Sequence, residues 1–164
     1  MTAALVPLQN ITLTGSAATV TFANIPSTGF RDLRLVVSGI ESAAGSTDAR
    51  LRANGDSGTN YYRVYMFGTG SSAVSGTDSA TAYQPWYSAD TIGHAVIDIF
   101  DYAQTDKHKT LITRSNNANA SSNGVSAQAQ RWANTAAITS LTWSLTSTYT
   151  FNAGSTFALY GVVA

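Results

Sequence analysis

The segment AVIDIFDY, residues 95–102, is the strongest indication of fold class in the chain. Its apolar residues alternate with a period of two, so Ile97 and Ile99 share one face, as expected of a β-strand. The polar, turn-like run AQTDKHK (103–109) follows it, and then the β-branched segment TLITRSN (110–116). The sequence therefore predicts that these segments form the central hairpin of an all-β domain.

Segments of strand character recur along the whole chain and are bounded by turns rich in Gly, Asn and Ser. A succession of about ten short strands without a convincing helix is typical of a β-sandwich or jelly roll. We therefore predict a single-domain, jelly-roll-like β-sandwich over residues 10–164, preceded by an N-terminal arm or edge strand over residues 1–9. The other predicted strands are ITLT (11–14), ATVTF (18–22), DLRLVVSGI (32–40), DARLRAN (48–54), YYRVYMF (61–67), AITSLTWSL (137–145), STFALYGVV (155–163) and GVSAQAQRW (124–132), the last of which could also be a short helix.

The same alternation predicts which side chains form the hydrophobic core. Apolar residues that share one face of a predicted strand should point towards the opposing sheet. We expect Leu35, Ile97, Ile99, Leu141 and Phe157 to be buried, and to lie in central rather than edge strands.

Composition limits the range of partners. Charged residues make up only 11% of the 164 residues, and nine basic residues balance nine acidic ones. A neutral chain gives no electrostatic reason to expect nucleic acid or an anionic membrane as partner. The chain contains no cysteine, and we find no signal peptide and no apolar run of membrane-spanning length. Low net charge protects poorly against association, which favours a protein that works in an assembly.

No catalytic residue is predicted. The chain has two histidines, His94 and His108, and the second stands between two lysines, which is a poor basis for a metal site. Ser57, in GDSG, resembles the surroundings of a serine-protease nucleophile, but no suitably placed upstream histidine accompanies it. Asp98 and Asp101 have opposite parity on their strand, so they should not form a pair of catalytic carboxylates.

Neither a cofactor nor a metal is predicted. Several aspartates lie in or beside predicted loops, where carboxylates could bind calcium. The calcium-loop pattern of alternating acidic residues is absent, however, and structural roles are the preferred interpretation. These aspartates are Asp48, Asp56, Asp78 and Asp90.

The segment from residue 68 to residue 91 is predicted as a long loop, and such loops are usually functional or interface-forming. It contains the aromatic patch Tyr83, Trp86 and Tyr87. Aromatic rings on a loop can pack at a subunit interface, where Trp and Tyr are enriched, or stack on the faces of sugars. We predict these three residues as interface or glycan-contact candidates and favour the interface.

Five segments taken in order resemble a group of virion proteins from tailed bacteriophages and prophages. Any one of these segments is nonspecific, but the ordered set spans nearly the whole chain. The segments are FANIPSTGFRDLRLVVSG (22–39), NGDSGTNY (54–61), VIDIFDYAQTDKHKTLITRS (96–115), RWANTAAITSLTW (131–143) and FNAGSTFALYGV (151–162).

The resemblance implies a non-enzymatic structural component located in the virion. A capsid decoration or cement protein is favoured over a fibre, because the chain has no coiled-coil shaft. The expected partners are further copies of the chain, as a homotrimer, and the major capsid protein or other virion proteins. The alternative is a carbohydrate- or receptor-binding module of a tail appendage, with a host glycan as partner.

Overall fold

The computed structural model describes residues 4–42, 47–88, 92–118, 123–146 and 148–163. The described part is all-β and contains twelve strands. The strands are β1 (Ala4–Thr12), β2 (Thr19–Phe22), β3 (Asp32–Ile40), β4 (Thr47–Ala53), β5 (Tyr61–Gly68), β6 (Ala73–Ala80), β7 (Tyr83–Ser88), β8 (Ile92–Phe100), β9 (Lys109–Ala118), β10 (Asn123–Trp132), β11 (Leu141–Leu145) and β12 (Thr156–Val163).

The strands form two antiparallel sheets. The larger sheet has the order β1-β12-β3-β8-β9-β10-β5-β6, and the smaller one has the order β2-β11-β4-β7. The four strands β1-β12-β3-β8 and the smaller sheet together have the strand order of a jelly roll, in which the chain crosses repeatedly from one sheet to the other. The two hairpins β5–β6 and β9–β10 extend the larger sheet beyond β8. The predicted jelly-roll-like sandwich is therefore confirmed. Strands β5, β9 and β10 of the extension coincide with predicted strands, whereas β6 and the position of these four strands beyond β8 were not predicted.

The core lies between the two sheets and follows the alternation of the strands. In β3, for example, Leu33, Leu35 and Val37 are buried, while the residues between them are partly or fully exposed. All five predicted core residues have no solvent-exposed surface, and each lies in a strand with a neighbour on both sides. The prediction of the core is thus confirmed.

Residues 68–91 are not one long loop, so that prediction was wrong. They contain β6 and β7. The β5–β6 connection is short and is closed by a hydrogen bond from the Thr69 N–H to the Ser72 carbonyl, 2.9 Å. Strand β6 carries small polar residues and is largely exposed on both faces, so it has no apolar alternation to reveal it.

The N-terminal segment forms an edge of the larger sheet. Strand β1 pairs with β12, with an irregularity in register between Pro7 and Gln9. Strand β1 continues to Thr12, three residues past the end of the predicted N-terminal arm. The domain boundary at residues 9 and 10 stays a prediction.

Candidate interaction surface

The segment NGDSGTNY builds a structural loop between β4 and β5. Asn54 and Gly55 both have positive φ, 52° and 69°, and the Asp56 N–H donates to the Ala53 carbonyl at 2.9 Å. These features form a tight turn of the kind that Asn-Gly favours. The side-chain oxygen of Asn54 then accepts hydrogen bonds from the Thr139 and Ser140 N–H groups, at 2.9 and 3.1 Å. The turn therefore fixes the β10–β11 connection.

The carboxylate of Asp56 accepts several hydrogen bonds within the protein. It accepts hydrogen bonds from Trp132 Nε1 at 2.7 Å, from Asn60 Nδ2 at 2.9 Å and from the Gly58 N–H at 2.8 Å. Burial raises the pKa of Asp56, but these hydrogen bonds outweigh it and hold the pKa below its usual value. Asp56 thus joins the start of β5 to the end of β10, which is a structural role.

The motif DY…K-x-K also makes structural contacts. The Tyr102 hydroxyl donates to the Pro26 carbonyl, and the Tyr102 carbonyl accepts from the Ile138 N–H at 2.8 Å. Lys109 is buried, and its Nζ donates to the carbonyls of Lys107 and Thr135, at 2.9 and 3.1 Å. Burial lowers the pKa of Lys109. These contacts connect the β2–β3, β8–β9 and β10–β11 loops at one end of the sandwich.

A close approach explains one glycine of the last motif, LYG. A Cβ atom at Gly161 would overlap the ring of Phe30, which lies in the STGF part of the first motif. The motifs on which the phage resemblance depends therefore contact one another, and the contacts described above are structural rather than catalytic.

Two further carboxylates, those of Asp98 and Asp101, lie close to cations. Asp98 forms a two-point ion pair with Arg34, with distances of 2.6 and 3.1 Å. Asp101 lies 3.5 Å from Lys107 Nζ. His94 and His108 are both exposed. Within the described ranges no group of three or more His, Cys, Asp or Glu residues is placed to hold a metal ion.

One residue of the predicted aromatic patch, Tyr83, is buried. Tyr83 is 1% exposed and packs edge-to-face on Tyr61, with 4.7 Å between ring centroids. Burial raises the pKa of Tyr83 above its usual value. Tyr83 is therefore a core residue, and its prediction as an interface or glycan contact was wrong. The backbones of Trp86 and Tyr87 belong to β7, but their side chains lie outside the described residues, and their role stays a prediction.

Strand β7 is an edge strand whose free side is held by the larger sheet. The Gln84 N–H donates to Gln130 Oε1 at 3.2 Å, and the Gln84 carbonyl accepts from Arg63 Nη1 at 3.4 Å. Pro85 lies next to it in the strand, where an edge position tolerates a residue that lacks an N–H. The AYQPWY segment is therefore an anchored strand rather than a projecting loop.

The most conspicuous surface feature lies on the extension. We call the face of the larger sheet that points away from the smaller sheet the outer face. On β5, β9 and β10 this face exposes large apolar side chains, with exposed fractions between 42% and 64%. They are Tyr62, Val64, Met66, Ile112 and Val125.

Two cavities lie along this outer face, with volumes of about 860 and 720 Å³. Residues of β5, β9 and β10 line both of them. Arg114 contributes to the first cavity, and Arg131 lies at the second, 4.8 Å above the Tyr62 ring. No acidic side chain in the described ranges forms an ion pair with either arginine. A concave, apolar surface with a few polar groups is suited to binding a partner.

Sequence reasoning did not locate this surface. YYRVYMF was correctly predicted as a strand, but apolar residues on both of its faces are typical of a strand that is buried on both sides. Only the topology shows that one of these faces is open to solvent.

Comparisons with family models, curated proteins and solved structures found no match to the chain. Among the described residues, no helix is long and apolar enough to cross a membrane.

Proposed function

We propose that the chain is a non-enzymatic structural component of a bacteriophage virion that acts as an oligomer, and that it is a capsid decoration or cement protein. The observation that carries the proposal is the exposed apolar outer face of the extension. A surface of this kind on a neutral protein is suited to burial against another virion protein.

The contacts of the polar residues support the same conclusion. Three charged side chains have surroundings that could suggest a catalytic role, namely Asp56, Asp98 and Lys109. Each of them instead makes contacts that hold strands or loops together. A rigid scaffold with an apolar outer face favours a binding role over a catalytic one. Whether the oligomer is the trimer expected from the sequence stays a prediction.

The alternative, a carbohydrate- or receptor-binding module of a tail appendage, loses one of its three candidate residues. Tyr83 is buried and cannot stack on a sugar. The alternative then depends on Trp86 and Tyr87 alone, and a specific sugar site needs several convergent polar groups. Particle association is therefore the preferred function.

Co-sedimentation with phage particles that lack the protein tests the proposal. Met66 is 62% exposed on the outer face, so Met66→Glu should weaken particle binding by about tenfold or more, because a charge would be buried at the interface. Tyr149, 37% exposed in the β11–β12 connection, provides the matched control, and Tyr149→Glu should bind like the wild type.

Two results would contradict the proposal. One is the absence of particle binding by the wild-type protein. The other is unchanged particle binding by Met66→Glu. Binding of the wild type to host glycans, lost in Trp86→Ala while the fold is retained, would favour the alternative.

A further inference from the structure

The four edge strands of the two sheets differ in how well they are protected against pairing with a strand of another chain. An unpaired edge strand can add a strand from another chain, and proteins usually prevent this with prolines, bulges, charges or short strands. Strand β1 carries Pro7 and an irregular register there, and β2 is only four residues long. Strand β7 contains Pro85, and the backbone of Gln84 is held by side chains of the larger sheet. Three of the four edges are therefore protected.

Strand β6 has none of these protections. It runs for eight residues in unbroken register with β5 and contains no proline, lysine or arginine. Its one charged residue, Asp78, is neutralised by Arg63 through two contacts of 2.7 and 2.8 Å. In the described part of the chain, β5 is its single neighbouring strand. The edge is long and regular, and its one charged residue is paired within the same chain.

The hydrogen-bond pattern identifies the free backbone groups of β6. The Thr69 N–H donates to the Ser72 carbonyl, so Thr69 and Ser72 form a hydrogen-bonded pair that closes the hairpin. Such pairs alternate with non-hydrogen-bonded pairs along an antiparallel ladder. The residues of β6 whose N–H and C=O groups point away from β5 are therefore Ala73, Ser75, Thr77 and Ser79, and no described group bonds them.

We propose that β6 pairs antiparallel with β6 of a second copy of this chain, across a twofold axis at Gly76. The four residues with free groups lie symmetrically about Gly76, so each N–H of one strand meets a C=O of the other. Ser75 lies opposite Thr77 of the second copy, and Ala73 lies opposite Ser79 of the second copy. The two larger sheets become one continuous sheet.

The chemistry of the edge favours an identical strand as its occupant. Two copies bring no like charges together, because β6 has no unpaired charge. The four residues with free backbone groups are Ala73, Ser75, Thr77 and Ser79. Their small side chains let two strands approach without steric conflict. The pairing is also self-complementary, as a twofold contact between identical subunits must be. An identical strand meets both conditions, the absence of opposed like charges and the self-complementary pairing. A strand of a different protein need not meet either.

This contact goes beyond the proposed virion role and does not depend on it. It concerns copies of the chain alone, and it uses the edge of the sheet rather than the outer face. A twofold contact joins units in pairs, whether the units are single copies or trimers. The protein in solution should therefore contain an even number of copies.

Charge pairs introduced at the edge test the inference. In Ser75→Lys/Thr77→Lys each new lysine faces a lysine of the second copy, and in Ser75→Glu/Thr77→Glu each glutamate faces a glutamate. Like charges directly opposite one another destabilise a strand pair. Each double variant should therefore associate about tenfold to thirtyfold more weakly than the wild type in light scattering or sedimentation. Mixing the two variants should restore association, because lysine then faces glutamate.

A matched control places the same charges on a different edge strand. Thr19 and Thr21 are exposed, two residues apart, on β2 at the edge of the smaller sheet. Thr19→Lys/Thr21→Lys should associate like the wild type. Three results would overturn the inference: a wild-type mass of a single or odd number of copies, association of the control lost as fully as that of the edge variants, or no recovery on mixing. Recovery on mixing also shows that the edge variants fold.

Discussion

Asp56→Asn should destabilise the protein, because the carboxylate of Asp56 accepts several hydrogen bonds that an amide cannot all reproduce. Asparagine has one acceptor oxygen, and its NH₂ group would face at least one donor. The donor most at risk is the Trp132 indole N–H, 2.7 Å from the carboxylate on a side chain that is 1% exposed. Leaving a buried donor unsatisfied costs about 1–3 kcal/mol. We therefore expect a loss of about 2 kcal/mol in the free energy of unfolding at neutral pH.

The effect should depend on pH in a defined direction. The hydrogen bonds to Asp56 hold its pKa in the folded state below the unfolded value, which is about 3.9. A group of this kind stabilises the folded state fully above the unfolded pKa, and the stabilisation is lost as the pH falls through the folded pKa. The difference between wild type and Asp56→Asn should therefore be constant near neutrality and shrink in acid.

Urea unfolding followed by tryptophan fluorescence, repeated from neutral to acidic pH, measures both effects. Asp106 is exposed, and Asp106→Asn provides the control, with an expected change within about 0.5 kcal/mol. A neutral-pH loss no larger than that of the control would refute the role assigned to Asp56. So would a loss that persists undiminished below the folded pKa.

Two further predictions concern packing. Ile99→Ala should cost about 2–5 kcal/mol, since Ile99 has no exposed surface and a large-to-small change in the core leaves a cavity; a loss below about 0.5 kcal/mol in urea unfolding would contradict its inward orientation. Gly161→Ala should cost about 1–3 kcal/mol, because the added Cβ would overlap the Phe30 ring. Phe30→Leu should reduce that cost in a double-mutant cycle, and an equal cost in both backgrounds would show that another contact is responsible.

The sequence predicted those strands in which the alternation of apolar and polar residues matches the alternation of buried and exposed side chains. Leu35 and Ile97 lie in strands with one buried and one more exposed face, so their period of two is visible in the sequence. Strand β6 could not be recognised this way, because both of its faces are largely exposed and its pairing with β5 needs no apolar pattern.

The candidate site was predicted less well, for a related reason. Tyr83 lies in a segment rich in Ala, Ser and Thr, which is typical of a surface loop, yet β7 carries it onto Tyr61 in the core. Its burial follows from the position of β7 at the edge of the smaller sheet, beneath β9 and β10 of the larger one. No local feature of the sequence encodes that position. The open outer face of β5 was missed likewise, because exposure depends on which strands have a sheet opposite them.

Both proposed contacts lie on the extension. On the outer face of the jelly-roll half, the β3–β8 pair carries the Arg34–Asp98 ion pair, which suits a surface in contact with water. That half also exposes apolar side chains, such as Leu5 and Ile92, whereas the extension combines exposed apolar residues, such as Val64 and Met66, with the unguarded edge of β6. The exposed apolar residues favour hydrophobic contact with another protein surface, and the free edge of β6 favours the addition of a strand. Both features lie on the extension, which is where the proposed particle contact and the proposed β6 pairing place the partners.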